Sequence, residues 1–153
     1  TSAVGSLSSA LPVGSIGVVN GFVTVYAPEM PLWGGEFGSP EDTLDPALRK
    51  IALQERGELM ANEVGHVMVR GPFFEGRRYD KSLLAKSGAG VVGMSILPEA
   101  CVTALYSGAR ILALCFITNS AVETHSHEEN LARAKAASAL LGGYLGRLVL
   151  RIS

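Results

Sequence analysis

Hydrophobic and polar positions change their period several times along this chain, and the changes mark its elements. Residues 1–14 (TSAVGSLSSALPVG) are small and mixed, and read as a small-residue loop with a strand end near Thr1. Ile16–Val19 and Phe22–Tyr26 are β-rich runs separated by Asn20-Gly21, a turn or bulge signal. Pro28–Pro40 carries three prolines and three glycines with Trp33 and Phe37, and reads as a long loop. Helical spacing follows: Asp45 is a good N-cap, Pro46 a good first residue, Leu48, Ile51, Ala52 and Glu55 recur at three and four, and Gly57 closes the helix.

A regular alternation then begins. His66–Arg70 is expected as a strand, Arg78–Lys86 as a helix ended by Gly88, and Gly90–Met94 as a strand. Pro98–Ser107 is expected as a helix ended by Gly108, and the apolar run Ile111–Ile117 as a buried strand. One last helix opens on Ser126 and Glu129, spaced as a capping box. It carries Leu131, Ala134, Ser138, Leu141, Leu145, Leu148 and Ile152 on one stripe facing a core. Strand–helix alternation with apolar strands argues an α/β fold with a largely parallel central sheet.

In such sheets ligands bind beyond the carboxyl ends of the strands. Phe74 and Glu75 follow the first of the three later strands, Met94 and Ser95 end the second, and Thr118 and Asn119 follow the third. An aromatic face and a thioether form a platform for a flat ring or a sugar, and a carboxylate with an amide reads its edge. Taken singly, Phe74 and Met94 also fit a core, Glu75 a surface ion pair with Arg77 or Arg78, and Asn119 an Asx-turn ending a strand. Their common place at strand ends favours a small-molecule pocket.

Composition narrows the picture. With 153 residues, 48% apolar and 18% charged, the chain can bury one core. A net charge of −1 without a charge block argues against nucleic acid and anionic membranes as partners. No run is long enough for a membrane span, and Cys101 and Cys115, in apolar surroundings, suit a reducing, cytoplasmic setting. Gly88-Ala-Gly-Val-Val-Gly93 matches G-x-G-x-x-G but leads into a strand, the reverse of a dinucleotide fingerprint. His125 and His127 with Glu123, Glu128 and Glu129 lack a zinc-protease motif, so no metal is expected. Thr1 as an amino-terminal nucleophile has only its position to support it. A first residue other than Met reads as a processed or truncated chain, or one piece of something larger.

Gly71-Pro-Phe-Phe-Glu75, Gly90-Val-Val-Gly-Met-Ser-Ile-Leu-Pro-Glu99, Phe116-Ile-Thr-Asn119 and His127-Glu-Glu129 together resemble the purine nucleoside phosphorylases, in particular the trimeric, 6-oxopurine-specific class. Thr1-Ser-Ala-Val-Gly-Ser-Leu7 with Pro12-Val-Gly-Ser-Ile16 is similar to the segment that opens that family's second half. The resemblance implies that residues 1–153 are the carboxyl-terminal portion of one phosphorylase domain, a three-layer fold with a largely parallel mixed sheet flanked by helices. It also implies roles. Phe74 would stack near the purine, Glu75 would accept from its N1–H, and Asn119, the catalytic residue, would reach O6 and N7. Met94 would pack on the ribose and His127 would bond its 5′-hydroxyl. Ser95 and the backbone N–H of Ala3 would hold phosphate, and Val4 and Gly5 would line the base.

The implied reaction is phosphorolysis of inosine- or guanosine-type nucleosides to free purine and pentose 1-phosphate. It needs no cofactor, only inorganic phosphate as co-substrate, and it needs the family's amino-terminal half. A homotrimer, or a hetero-assembly with a chain supplying that half, is the expected state. Ser2 stands where the family usually has Asn, as in the methylthioadenosine branch, and Phe22-Val-Thr24 where it has His-Ile-Asn. Those departures support an alternative, an inactive phosphorylase-fold subunit that binds or scaffolds, with a partner over an open sheet edge.

Overall fold

A computed structural model describes residues 1–27, 37–72, 74–76, 78–120 and 126–153. Among these, five strands and five α-helices follow one another: β1 (Ser2–Ser6), β2 (Ile16–Val23), α1 (Pro46–Gln54), β3 (Ala61–Met68), α2 (Asp80–Lys86), β4 (Val91–Gly93), α3 (Leu97–Tyr106), β5 (Leu114–Ser120), α4 (His127–Ala136) and α5 (Ser138–Ile152). The strands pair in the order β1-β4-β3-β2-β5 and close into a barrel. The β1–β5, β2–β3 and β3–β4 pairs are parallel, and β1–β4 and β2–β5 antiparallel. The fold is thus the expected mixed, mostly parallel α/β sheet flanked by helices. The expected open edge is absent among the described residues, because β5 pairs on both sides and joins β1 to β2.

Side-chain alternation builds two faces of this wall. Val19 of β2, Val64 of β3, Val91 of β4 and Cys115 and Ile117 of β5 pack into one cluster with Val4. Their neighbours Ile16, Val18, Leu114 and Phe116 pack instead with Ala52, Tyr144 and Leu148 of α1 and α5. Val67 and Val92 pack with Leu84 of α2. Gly17 fits because the wall is tight: a Cβ there would lie 2.8 Å from Val64 Cγ2.

Local signals place α1 where expected. Asp45 Oδ1 accepts from the Leu48 N–H at 2.9 Å, and Pro46 opens the helix. Gly57, Gly88 and Gly108 have φ of +60°, +85° and +62°, the left-handed conformation that favours glycine after a helix. Ser126 and Glu129 make both arms of the capping box on α4.

Several expectations are corrected. Residues 2–6 are a strand rather than a loop: β1 sits between β4 and β5, where small residues allow close neighbours. Ile16–Val23 is one strand, and Asn20 is a bulge in its pairing with β3 rather than a turn. β3 starts at Ala61, before the expected His66, because exposed Asn62 and Glu63 hide its alternation. β5 begins at Leu114 and runs on to Ser120, while Ile111 makes only an isolated bridge to Leu44.

The single last helix is two. Ala137 ends α4, which is anchored to β5 by Arg133 Nη1 donating to the Thr118 carbonyl at 2.7 Å. α5 lies instead on α1, where the Tyr144 hydroxyl donates to the Ala52 carbonyl at 2.9 Å. Two packing surfaces replace one stripe: Leu148 is buried, but Leu131, Ser138 and Ile152 are exposed. Trp33 lies outside the described residues, and Phe37 is almost wholly exposed.

Candidate active site

A cavity of about 230 Å³ opens beside β1. Ala3, Val4, Gly5, Phe74, Glu75, Met94, Ser95, Asn119 and His127, nine positions singled out in the sequence, all line it. Their convergence has a different cause from the one expected. β4 runs antiparallel to β1 and β5 parallel to it, so β4 and β5 point in opposite directions and their carboxyl ends do not share an edge. The residues meet because β1 lies between those strands: Gly5 pairs with Val92 on one side and Asn119 on the other.

A bulge completes the geometry. Along β1 and β5, Val4 pairs with Ile117 and the next residue, Gly5, with Asn119, so Thr118 is the extra residue. A bulge re-aims the side chains around it, and here both Thr118 and Asn119 reach the cavity. Asn119 therefore continues the strand and does not end it. Thr118 Oγ1 lies 3.1 Å from Asn119 Oδ1 and 3.3 Å from the Val4 carbonyl, donating toward both. With its oxygen engaged, the Asn119 amide keeps its NH₂ to donate. Gly5 is required here, because a Cβ would lie 2.8 Å from Asn119 Nδ2.

The opposite wall comes from the segment after β3. The Glu75 side chain is only 5% exposed, and its carboxylate pairs with Lys81 of α2 at 3.9 Å. Asp80 Oδ2 accepts from the Gly76 N–H at 2.8 Å and ties this segment to the start of α2. Phe74, 44% exposed, is a cavity wall rather than core. Arg78 stacks on Tyr79 at 5.2 Å.

Met94 and Ser95 follow β4. Gly71 makes room for the thioether, since a Cβ there would lie 3.1 Å from Met94 Sδ. Next to Ser95, Ile96 holds φ 76° and ψ −50°, a strained γ-turn conformation for a β-branched residue. Ser95 Oγ lies 2.8 Å from Ser2 Oγ.

Lining residues given no role in the sequence reading of the site include Val69, Asn130 and Leu131. The last two lie with His127 and Ala134 on one face of α4, a face assigned from its apolar positions to core. The i, i+3, i+4, i+7 spacing was visible, but a polar residue within it carries no signal of which space it borders. His66 lies behind the cavity, fully buried, its Nε2 3.0 Å from where a Gly93 Cβ would stand. Neither ring nitrogen has a hydrogen-bond partner, and burial lowers its pKa to about 4. Thr1 borders a separate apolar cavity. His125 and Glu123 lie outside the described residues, among which no cluster suits a metal ion. Nor is any helix among them long and apolar enough to cross a membrane.

The family model described as "Phosphorylase superfamily" matches residues 1–151. The chain belongs to that superfamily. Among phosphorylase relatives, the purine nucleoside phosphorylase of Mycobacterium tuberculosis is 32% identical over 99% of this chain. That match covers 56% of the relative, so the chain spans about half the length of the curated relatives it matches. In fold it is similar to isoform 2 of purine nucleoside phosphorylase from Schistosoma mansoni, solved with cytosine and ribose 1-phosphate (TM-score 0.84, 23% identity, 99% of this chain and 59% of that one). Another Schistosoma mansoni purine nucleoside phosphorylase structure, with adenosine, matches at TM-score 0.82 and 24% identity, over 97% of this chain and 60% of that one.

Proposed function

We propose that this chain carries the base- and pentose-binding part of an enzyme that cleaves 6-oxopurine nucleosides with inorganic phosphate. The observation that carries the reading is the pair Glu75 and Asn119 on one cavity, one an acceptor only, the other with its oxygen taken by Thr118. A 6-oxopurine offers N1–H to the carboxylate and takes the amide protons at O6 and N7. Adenine presents a bare N1 and an amino group instead, so both contacts oppose it. Phe74 supports the ring, and Val4 and Gly5 line it. Met94 packs on the pentose, and His127 bonds its 5′-hydroxyl. Ser95 and the Ala3 N–H hold phosphate.

A phosphate oxygen attacks C1′ as the C1′–N9 bond breaks, and the electron pair leaves with the purine. Asn119, at N7, stabilises the negative charge that builds there, contributing most at the transition state. The products are free purine and pentose 1-phosphate. The scaffold alternative has no observation of its own.

The experiment is calorimetric titration of the chain with inosine and adenosine, together with a turnover assay in phosphate, run on the assembly that includes the remaining half, that follows base and pentose 1-phosphate. Inosine is expected to be preferred by about 100-fold or more, and Asn119→Asp to narrow or reverse that ratio. Equal affinity for the two nucleosides, or an unchanged ratio in Asn119→Asp, overturns the assignment. The proposed assembly is a homotrimer of complete protomers, or a hetero-assembly with a chain supplying the remaining half. The exposed aromatic ring of Phe37 supports an interface, which light scattering tests. Free Cys101 and Cys115 support a cytoplasmic setting.

A further inference from the structure

The α4 wall of the cavity contains an acceptor with nothing to accept. Asn130 lines the cavity, and its Oδ1 is enclosed without a hydrogen-bond partner. Buried polar groups are nearly always paired, because an unpaired one loses its water without replacement. Packing alone does not call for an amide at a site flanked by Leu131 and Ala134. The oxygen has no bond to give up, so a turn about χ2, a broad and soft torsion in Asn, presents it to the cavity.

We propose that Asn130 is a specificity-determining residue that accepts a hydrogen bond from the 5′-hydroxyl of the pentose. The cavity would then select nucleosides with a free 5′-hydroxyl over 5′-deoxy and 5′-alkylthio ones. The inference rests on the nucleoside reading above, in which His127 meets that hydroxyl. His127 and Asn130 are three residues apart on one helix face, a spacing that places their Cβ atoms about 5–6 Å apart. A hydroxyl donates once and accepts twice. An imidazole N–H from His127 fills one acceptor site, and Asn130 Oδ1 takes the single proton. The acceptor on the Asn119 amide is already engaged by Thr118, so it does not compete. A 5′-deoxy or 5′-thioether group has no proton to give and leaves the Asn130 oxygen unpaired in the complex.

The test is calorimetric titration of the chain with hypoxanthine, inosine and 5′-deoxyinosine, repeated with inosine and 5′-deoxyinosine on Asn130→Leu and Asn130→Asp. The parent is expected to bind inosine at least about tenfold more tightly than 5′-deoxyinosine. Asn130→Leu shrinks that ratio several-fold, while Asn130→Asp, which keeps an acceptor, retains it. Without ligand, Asn130→Leu melts at or above the parent temperature, since it removes an unpaired buried acceptor. Equal affinity of the parent for both nucleosides, an unchanged ratio in Asn130→Leu, or a lower melting temperature of unliganded Asn130→Leu overturns the assignment of Asn130 while leaving inosine binding intact. Failure of both hypoxanthine and inosine to bind the parent overturns the nucleoside reading, and this inference with it.

Discussion

Two cavities of similar size flank β1, about 210 and about 230 Å³, and they share Ala3 and Ala134 in their walls. The smaller is walled mostly by Ile16, Leu114, Phe116, Leu141, Tyr144 and Leu145, side chains that belong to or border the cluster under α5. The larger is bordered by Glu75, Ser95, Thr118, Asn119, His127 and Asn130. Volume therefore says little about which is a site. What separates them is directed polar groups: a carboxylate, an amide with one end engaged, and an acceptor left unpaired. The apolar cavity belongs to the packing of the barrel against its helices, and the polar one is the site to which the proposed reading assigns recognition.

Substitutions can break that comparison on either side. The largest effect is expected on the apolar side. Leu148→Ala removes a side chain only 2% exposed in the cluster with Tyr144 and Phe116, and costs about 2–5 kcal/mol of stability, read by urea unfolding. The fraction that stays folded should bind inosine as the parent does. A large loss of affinity in that fraction would show that the two sides are not independent.

Acid tests the region behind the polar cavity. His66 is neutral in the fold, with Phe22 edge-on at 6.0 Å and Val4 and Gly93 beside the ring, and its pKa is lowered from 6.5 to about 4 by burial. Above pH 6.5 neither state holds the proton. Between 6.5 and 4 the unfolded chain takes it up and the folded chain does not, so stability falls as pH falls through that window, by at most about 3 kcal/mol. Denaturation at pH 7 and pH 4.5 should show the loss, and His66→Phe should remove most of that slope.

Gly5→Ala acts chiefly on the polar side, although its Cβ would also press on Val92 Cγ1 at 3.3 Å. Its Cβ would displace the Asn119 amide, and inosine affinity should fall about 10- to 100-fold while the melting temperature shifts little. Calorimetry and a thermal melt on the same sample separate the two effects. An unchanged affinity would mean that Asn119 does not touch the ligand. The smallest effect is expected from Ser126→Ala. It removes one arm of the capping box and costs about 1 kcal/mol. It should loosen the first turn of α4, where His127 sits, and weaken inosine binding a few-fold.

Local chemistry was legible residue by residue. The Asp45 cap, the glycines after α1, α2 and α3, and the Ser126–Glu129 box all lie where the sequence places them, because each acts over three or four neighbouring residues. The nine candidate site residues share one cavity for the same kind of reason: their residue types and motif order survive whatever sheet carries them. Long-range pairing was not legible. β1 looked like a loop because strand propensity says little about small residues, and its place between β4 and β5 comes from partners about 85 to 114 positions away.

By itself, then, the sequence determined the helix caps, the glycines that follow three helices and the residue types that line the cavity. Only the tertiary structure decided that the sheet closes, that β4 and β5 oppose one another across β1, and that the bulge at Thr118 carries Asn119 into the cavity. It also decided that the last apolar stripe divides at Ala137, giving α4 to the cavity and α5 to the barrel. The physical reason is range. Caps and turns are settled by bonds within one turn of the chain, whereas strand neighbours, bulges and the space that a helix face borders depend on which distant surfaces meet.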